Sequence, residues 1–207
     1  MALSVVQEPP APSFPPSLAI PLLPTETELA TTSMRTREAQ LQDARSIHQL
    51  IHGFTHDGTL LPRRYSEICA NIGTFTVVET NSGRFIGCAV LHVYGQHLAE
   101  IRSIAVRPET KGHGAGGLLV RALLDQGEAS GIKCVCLFTR IPTFFEHFHF
   151  RVAEHHALRD KVLKDCVHCS RRNACDETAM VIGELPARPP SRFLPARHNA
   201  DLVQLQF

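Results

Sequence analysis

Residues 111–117 read Lys111-Gly112-His113-Gly114-Ala115-Gly116-Gly117. Four glycines and an alanine stand among the six positions after the lysine. Glycine tolerates left-handed backbone and has no side chain, so such a run lets backbone N–H groups converge on one anion. A helical pattern follows at once, and a helix start adds positive partial charge. A diphosphate suits this chemistry, because no side chains bar its approach. A Walker loop needs Gly-Lys-Ser/Thr, but here Gly116 is followed by Gly117 and Leu118. A dinucleotide loop needs G-x-G-x-x-G and an acidic residue on the next strand. The spacing here is G-x-G-x-G, and that strand ends Leu137-Phe138-Thr139-Arg140. A turn that only joined strand to helix would need far fewer glycines.

A second constellation is Cys166-x2-Cys169-x5-Cys175. One reading is a structural zinc site with His168, His155 or His156 as fourth donor. The spacing lacks a second C-x-x-C or an H-x3-H, so reduced packing thiols or a redox-sensitive pair are the other readings. Cys69, Cys88, Cys134 and Cys136 lie in apolar runs and read as small core residues. An odd total of 7 cysteines and no secretion signal point to reduced thiols.

The elements around these groups read as an α/β chain. "MRTREAQ" (34–40) is a polar edge strand. Asp43 caps a helix carrying Ile47, Leu50 and Ile51, and Gly53 ends it. "YSEICANI" is a short second helix. "TFTVVET" (74–80) and "FIGCAVLHVY" (85–94) flank the turn "NSGR" as a hairpin. "LAEIRSIAV" (98–106) is apolar on both faces for much of its length and reads as a central strand. The helix after the glycines pairs Leu118 with Ala122 and Leu119 with Leu123. "IKCVCLF" is a buried strand, and Pro142 opens a helix at "PTFFEHF". "FRVAEHHAL" reads as a strand, then a cysteine-bearing loop, then "ETAMVIGEL" as the last strand.

Composition bounds the partners. Lys and Arg number 21 against 20 Asp and Glu, which excludes a strongly basic nucleic-acid binder. Aromatics are 6%, with no Trp, too few for base-stacking platforms. No apolar run is long enough to span a membrane. Seven of 14 prolines lie between Pro9 and Pro24, and four more between Pro186 and Pro195. Residues 1–34 therefore read as a disordered Pro-rich leader, 35–184 as the folded domain and 185–207 as a tail. No Lys or Arg precedes Arg35, so the leader lacks the basic start of a targeting signal and a cytoplasmic location is expected.

The segment "AEIRSIAVRPETKGHGAGGLLVRALL" resembles the acetyl-CoA pyrophosphate motif of the GNAT N-acetyltransferases. Lys111 stands where Arg is usual. The resemblance implies a GNAT fold: a mixed, mostly antiparallel central sheet flanked by helices. It implies that backbone N–H groups of Lys111, Gly112, His113, Gly114, Ala115 and Gly116, with Gly117 opening the helix, hold the pyrophosphate of acetyl-CoA. It also implies that Ile104, Ala105 and Val106 pair with the pantetheine arm and offer backbone to the thioester carbonyl.

A narrower resemblance covers about 150 residues. "GTLLPRR", "LFTRIPTFFEHFHF" and "DKVLKDCVHCSRRNACDETAMV" are similar to the short bacterial N-acetylglutamate synthases. The chain departs from them at His149, where glycine is usual, and at Leu163, where an aromatic is usual. This implies acetyl transfer to the α-amine of L-glutamate, a small-molecule partner, at the entry to arginine biosynthesis. Another small amine or a protein amine, or a CoA-binding regulator without turnover, are the alternatives, and a homodimer is left open. By the similarity of "AEI" to the histone-acetylating branch, Glu100 is the expected general base; a plain ion pair with Arg102 on the same strand face is the other reading. The tyrosine that often protonates the leaving thiolate has no counterpart at Phe144-Phe145. Glutamate carries two carboxylates, so Arg63, Arg64, Arg102 and Lys161 are the candidate cations.

Overall fold

The structure, a computed structural model, describes residues 33–169 and 171–186. The leader and tail expectations fall almost entirely outside them. The strands are β1 (Met34–Glu38), β2 (Phe75–Thr80), β3 (Phe85–Gly95), β4 (Leu98–Val106), β5 (Cys134–Thr139), β6 (Arg151–Val152) and β7 (Thr178–Gly183). The helices are α1 (Ala44–Gly53), α2 (Tyr65–Ala70), α3 (Ala115–Ala129), α4 (Pro142–Glu146) and α5 (Arg159–Lys164). The strands form one sheet in the order β1-β2-β3-β4-β5-β7-β6, with β4 at its centre. Only the β4–β5 pairing is parallel. This is the mixed, mostly antiparallel sheet that the sequence predicts.

Strand periodicity sorts the core into two faces. Ala99, Ile101, Val135, Leu137 and Met180 pack with Leu119, Val120 and Leu123 of α3. On the opposite face, Phe75, Val77, Cys88 and Val90 pack with Ile47 and Ile51 of α1 and Ile68 of α2. That second face also carries a separate cluster of Leu98, Cys134, Cys136, Leu158 and Val181. Glu100 and Arg102 alternate with Leu98 on β4, so they occupy the gap between these two apolar patches.

Three local expectations need correction. Asp43 does not cap α1 with its side chain. Its carboxylate accepts from the Gln40 N–H at 2.7 Å and from Arg37 Nη1 at 2.7 Å instead. The strand at "FRVAEHHAL" is two residues long, because Glu154-His155-His156 offers little apolar surface to bury and turns into a 3-10 segment. The stretch read as loop contains α5, anchored by buried Leu158 and closed by the i,i+4 pair Lys161 and Asp165.

The parallel ladder between β4 and β5 is short. It joins Ala99 to Val135 and Glu100 to Cys136, and stops. Beyond Glu100, β4 bonds only to β3, while β5 runs on beside β7. A bulge accompanies the parting: between the pairs Val90–Arg102 and Cys88–Ala105, β4 carries one extra residue. Ser103 there has φ of 50°, which non-glycine residues seldom adopt.

Two predictions follow from this packing. A Cβ on Gly87 would lie 2.5 Å from the Ala105 carbonyl oxygen, which is backbone and cannot yield cheaply. Gly87→Ala should lower unfolding free energy by roughly 1–3 kcal/mol in urea melts, the usual scale of overpacking. The second concerns acid. The Arg35 hydrogen bond, with help from Arg37, holds Glu79 below the usual carboxylate range, and Arg37 does the same for Asp43. Both carboxylates bind protons less readily folded than unfolded. Their contribution is full above about pH 4 and is lost as pH falls through the lower folded values. Arg37→Gln should therefore move the acid-unfolding midpoint, followed by circular dichroism, to higher pH.

Candidate active site

The glycine-rich loop opens α3 through two left-handed residues, Gly112 at φ 82° and Gly114 at φ 86°. An added Cβ at either would meet nothing within 4 Å. Glycine is thus required there by backbone conformation, and the space before the loop stays open. Among the described residues, no backbone acceptor meets the N–H groups from Gly112 to Gly117; the first satisfied donor is Leu118, to Gly114 O at 3.0 Å. Among the described residues, these six consecutive amides at a helix start are left free to bind an anion.

A cavity of about 540 Å³ lies over this loop. Lys111, Gly112 and Gly114 to Gly117 form its floor, Ile104 to Val106 one wall, and Phe144 and Phe145 the other. Gly116 lies close to the aromatic wall: a Cβ there would stand 3.2 Å from the tip of the Phe144 ring. Of the expected cradle residues, His113 does not line the cavity; its ring turns back to the Lys111 carbonyl at 3.0 Å. Lys111 Nζ sits 5.3 Å from the Phe54 ring at the rim.

A second, polar chamber of about 310 Å³ adjoins it. Ile104 and Thr59 line both cavities, so the two meet where β4 leaves β5. Thr59 belongs to a loop held down by Arg171, whose Nη1 donates to Gly58 O at 3.1 Å. Arg63, Arg102, Lys161 and Glu100 all line this chamber, and Arg64 does not. Arg63 Nε donates to Ser103 Oγ at 2.7 Å, tying it to the β4 bulge.

Glu100 is 3% exposed and fully engaged. Lys161 Nζ lies 2.7 Å from Oε1, Arg102 Nε lies 2.6 Å from Oε2, and Tyr94 Oη lies 2.8 Å from Oε2. The ion pair with Arg102 that the strand face allows is thus formed. Tyr94 also reaches Asp165 Oδ2 at 2.6 Å, and Arg102 Nη2 contacts both Tyr94 Oη and Asp165. Burial, then the negative charge of Glu100, push the Tyr94 phenol well above its ordinary range, so it stays protonated. Burial would raise Asp165, but the Tyr94 hydrogen bond, Arg102 and Lys161 outweigh it and hold the carboxyl low. Glu177 lines the same chamber, and burial raises its carboxyl above the usual range.

Sequence reasoning missed Tyr94, Asp165 and Glu177. Asp165 and Glu177 lie in "KVLKDC" and "CDETAM", beside cysteines whose spacing is the stronger local signal. The zinc expectation is not supported: among the described residues, no group of three or more His, Cys, Asp or Glu is placed to hold a metal. Cys166 and Cys169 sit at opposite ends of one 3-10 turn, and Cys175 is exposed beyond another. Cys88 and Cys134 are core thiols, pushed by burial to about 12 and about 11. His149 has φ of 64°, a left-handed conformation that glycine adopts more easily.

Residues 41–150 match the acetyltransferase (GNAT) family. The chain belongs to that family. An uncharacterized N-acetyltransferase of Chlorobaculum tepidum is 35% identical over 145 residues, covering 70% of this chain and 93% of that protein. An amino-acid acetyltransferase of Ralstonia nicotianae is 34% identical over 62% of this chain, which spans 28% of that longer protein. N-acetylglutamate synthase from Neisseria gonorrhoeae, complexed with coenzyme A and N-acetyl-glutamate, superimposes with a TM-score of 0.66 at 25% identity, over 74% of this chain and 35% of that one. A Mycobacterium tuberculosis protein in complex with CoA and NLQ gives 0.63 at 25% identity, over 72% and 99%. The family match supports acetyltransferase activity for the chain. No helix among the described residues is long and apolar enough to cross a membrane.

The network makes a stability prediction. Glu100→Gln leaves Arg102 and Lys161 short of a buried counter-charge. Unfolding free energy should drop by roughly 1–3 kcal/mol in denaturant titrations at neutral pH.

Proposed function

We propose that this GNAT protein is an amino-acid N-acetyltransferase that moves acetyl from acetyl-CoA to the α-amine of L-glutamate. The observation that carries the reading is the junction of the two cavities at Ile104 and Thr59: an amide-rich anion cradle opens directly into a chamber holding Arg63, Arg102 and Lys161. The free N–H groups of Gly112 to Gly117 suit a pyrophosphate, and Lys111 adds a point charge at the rim. The strandless edge of β4 from Arg102 to Val106 suits an extended amide-bearing arm. Bound there, acetyl-CoA supplies an activated acyl thioester. Arg63 is the substrate cation least neutralised within the chamber, since its Nε meets only the neutral Ser103 hydroxyl, although Nη1 pairs with exposed Glu67. The named amino-acid acetyltransferases and the N-acetylglutamate complex among its relatives support this acceptor. In that role the protein would open arginine biosynthesis.

One observation favours a second reading. The three chamber cations face four carboxylates: Glu67, Glu100, Asp165 and Glu177. The chamber therefore holds no surplus of positive charge for a dicarboxylate, and an amino acid with an uncharged side chain fits this balance.

A thiol-release assay with acetyl-CoA against a panel of amino acids decides between them. Fastest turnover with glutamate supports the first reading. Faster turnover with neutral amino acids supports the second, and cofactor binding without turnover on any amine would establish a regulator. Gly114→Glu should weaken acetyl-CoA binding at least 100-fold by calorimetry, because it puts bulk and negative charge into the cradle. Gly114→Ala serves as the control for backbone strain, which alone costs about 1–2 kcal/mol.

A further inference from the structure

We propose that Glu177, rather than Glu100, accepts the proton from the acceptor ammonium; this rests on the acetyl-transfer reading above and holds for either acceptor. The acidic groups of the chamber differ in what surrounds them. Glu100 has a cation on each oxygen. Asp165 is held by Tyr94, Arg102 and Lys161. Glu67 is paired with Arg63 and lies on the exposed side. Glu177 lines the chamber with no hydrogen bond or ion pair to its carboxylate among the described residues. A base needs a lone pair that is not already taken, and Glu177 offers one.

Its backbone is fixed. It precedes Thr178, which pairs with Thr139 at the end of β5, and its carbonyl lies 3.1 Å from His155 Nε2. This places it beside the end of β5, in the chamber that Ile104 also lines. Four charged groups act on it. Lys161 from α5 and Arg140 after β5 favour its ionised form, while adjacent Asp176 and Glu100 from β4 disfavour it. Burial exceeds them all and keeps its proton affinity above that of an ordinary glutamate, nearer the range useful to a base at neutral pH. Glu100 then acts as a positioning residue that holds Arg102 and Lys161.

The acceptor enters as R–NH₃⁺ and gives one proton to the Glu177 carboxylate. The freed nitrogen lone pair attacks the thioester carbonyl, forming the N–C bond. The tetrahedral adduct collapses with cleavage of the C–S bond, and the sulfur takes the electron pair. The second amine proton reaches the thiolate through solvent, giving the amide and the free thiol. Glu177 releases its proton to water before the next cycle.

The test compares Glu177→Gln and Glu100→Gln on the full chain, with whichever amino acid the wild type turns over. Glu177→Gln should lower kcat about 100-fold or more, within the usual range for loss of a general base. It should erase the acidic limb of the pH–rate profile, leave acetyl-CoA affinity within twofold and keep Tm close to wild type. Glu100→Gln should raise acceptor KM more than it lowers kcat and keep the acidic limb. Formate should restore part of the rate to Glu177→Ala and none to Glu100→Ala. A readout without turnover is the infrared carboxyl titration of the free protein, as a difference between wild type and Glu177→Gln; its midpoint should lie above the ordinary glutamate value of about 4.3. Retention of kcat within threefold and of the acidic limb in Glu177→Gln, or their loss in Glu100→Gln alone, would overturn the assignment while leaving acetyl transfer intact. A wild type inert toward every amine would overturn acetyl transfer and this assignment together.

Discussion

Everything at this site depends on β4 parting from β5. Two paired positions hold the strands together at Ala99 and Glu100, and no more. A longer ladder would satisfy the β4 edge and close the opening that both cavities share. The parting is built from opposite pulls. β7 claims the whole of β5, from Cys134 to Thr139, while β3 and the bulge near Ser103 draw β4 the other way. Backbone groups on the freed edge need partners, and an extended amide-bearing ligand can supply them. The open wedge is thus suited to binding because the sheet leaves its edge unpaired.

The same parting creates an electrostatic problem. Glu100 sits at the last paired position, buried between two apolar patches, where an isolated charge would be costly. Arg102 from its own strand, Lys161 from α5 and Tyr94 from β3 converge on it. Each comes from a different part of the chain, so the network also locks α5 against the sheet. This favours a structural and positioning role for Glu100: a carboxylate that holds two cations cannot release them to meet a substrate proton without loosening the helix. It also means that Arg102 and Lys161 reach an incoming carboxylate already partly neutralised.

The sequence makes the sheet and the cradle legible for clear reasons. Strand periodicity in 74–106 is strong, and the turn between its first two runs is short, so the meander follows from local pattern alone. The left-handed positions at Gly112 and Gly114 are positions that only glycine fills easily, and that chemistry is visible in residue names. The chamber is less legible. Tyr94, Asp165 and Glu177 lie 71 and 12 residues apart in turn and meet only through the fold. α5 is six residues long, too short for periodicity to reveal, and its i,i+4 pair of Lys161 and Asp165 was the available signal. The cysteine spacing pointed to metal because spacing reports which residues can approach each other. It does not report whether a complete donor set assembles.

The chamber's charge balance constrains its chemistry further. A wall carrying three cations and four carboxylates would take the proposed amino acid by exchange as much as by attraction. An α-carboxylate can take over the Arg63 face, where the internal partner Glu67 lies toward solvent. The acceptor ammonium needs a carboxylate with nothing else to hold, and Glu177 alone has that freedom among the described acidic groups lining the chamber. On the acceptor proposed above, those two demands would put the amine near Glu177 and the carboxylate near Arg63, in the chamber that Ile104 shares with the cofactor groove. A side-chain carboxylate on the acceptor must then compete with Glu100 or Asp165 for Arg102 and Lys161. Asp165 is the weaker competitor, because its side chain is the more exposed of the two, 34% against 4%. Its displacement is therefore the specific structural cost of accepting a dicarboxylate at this site.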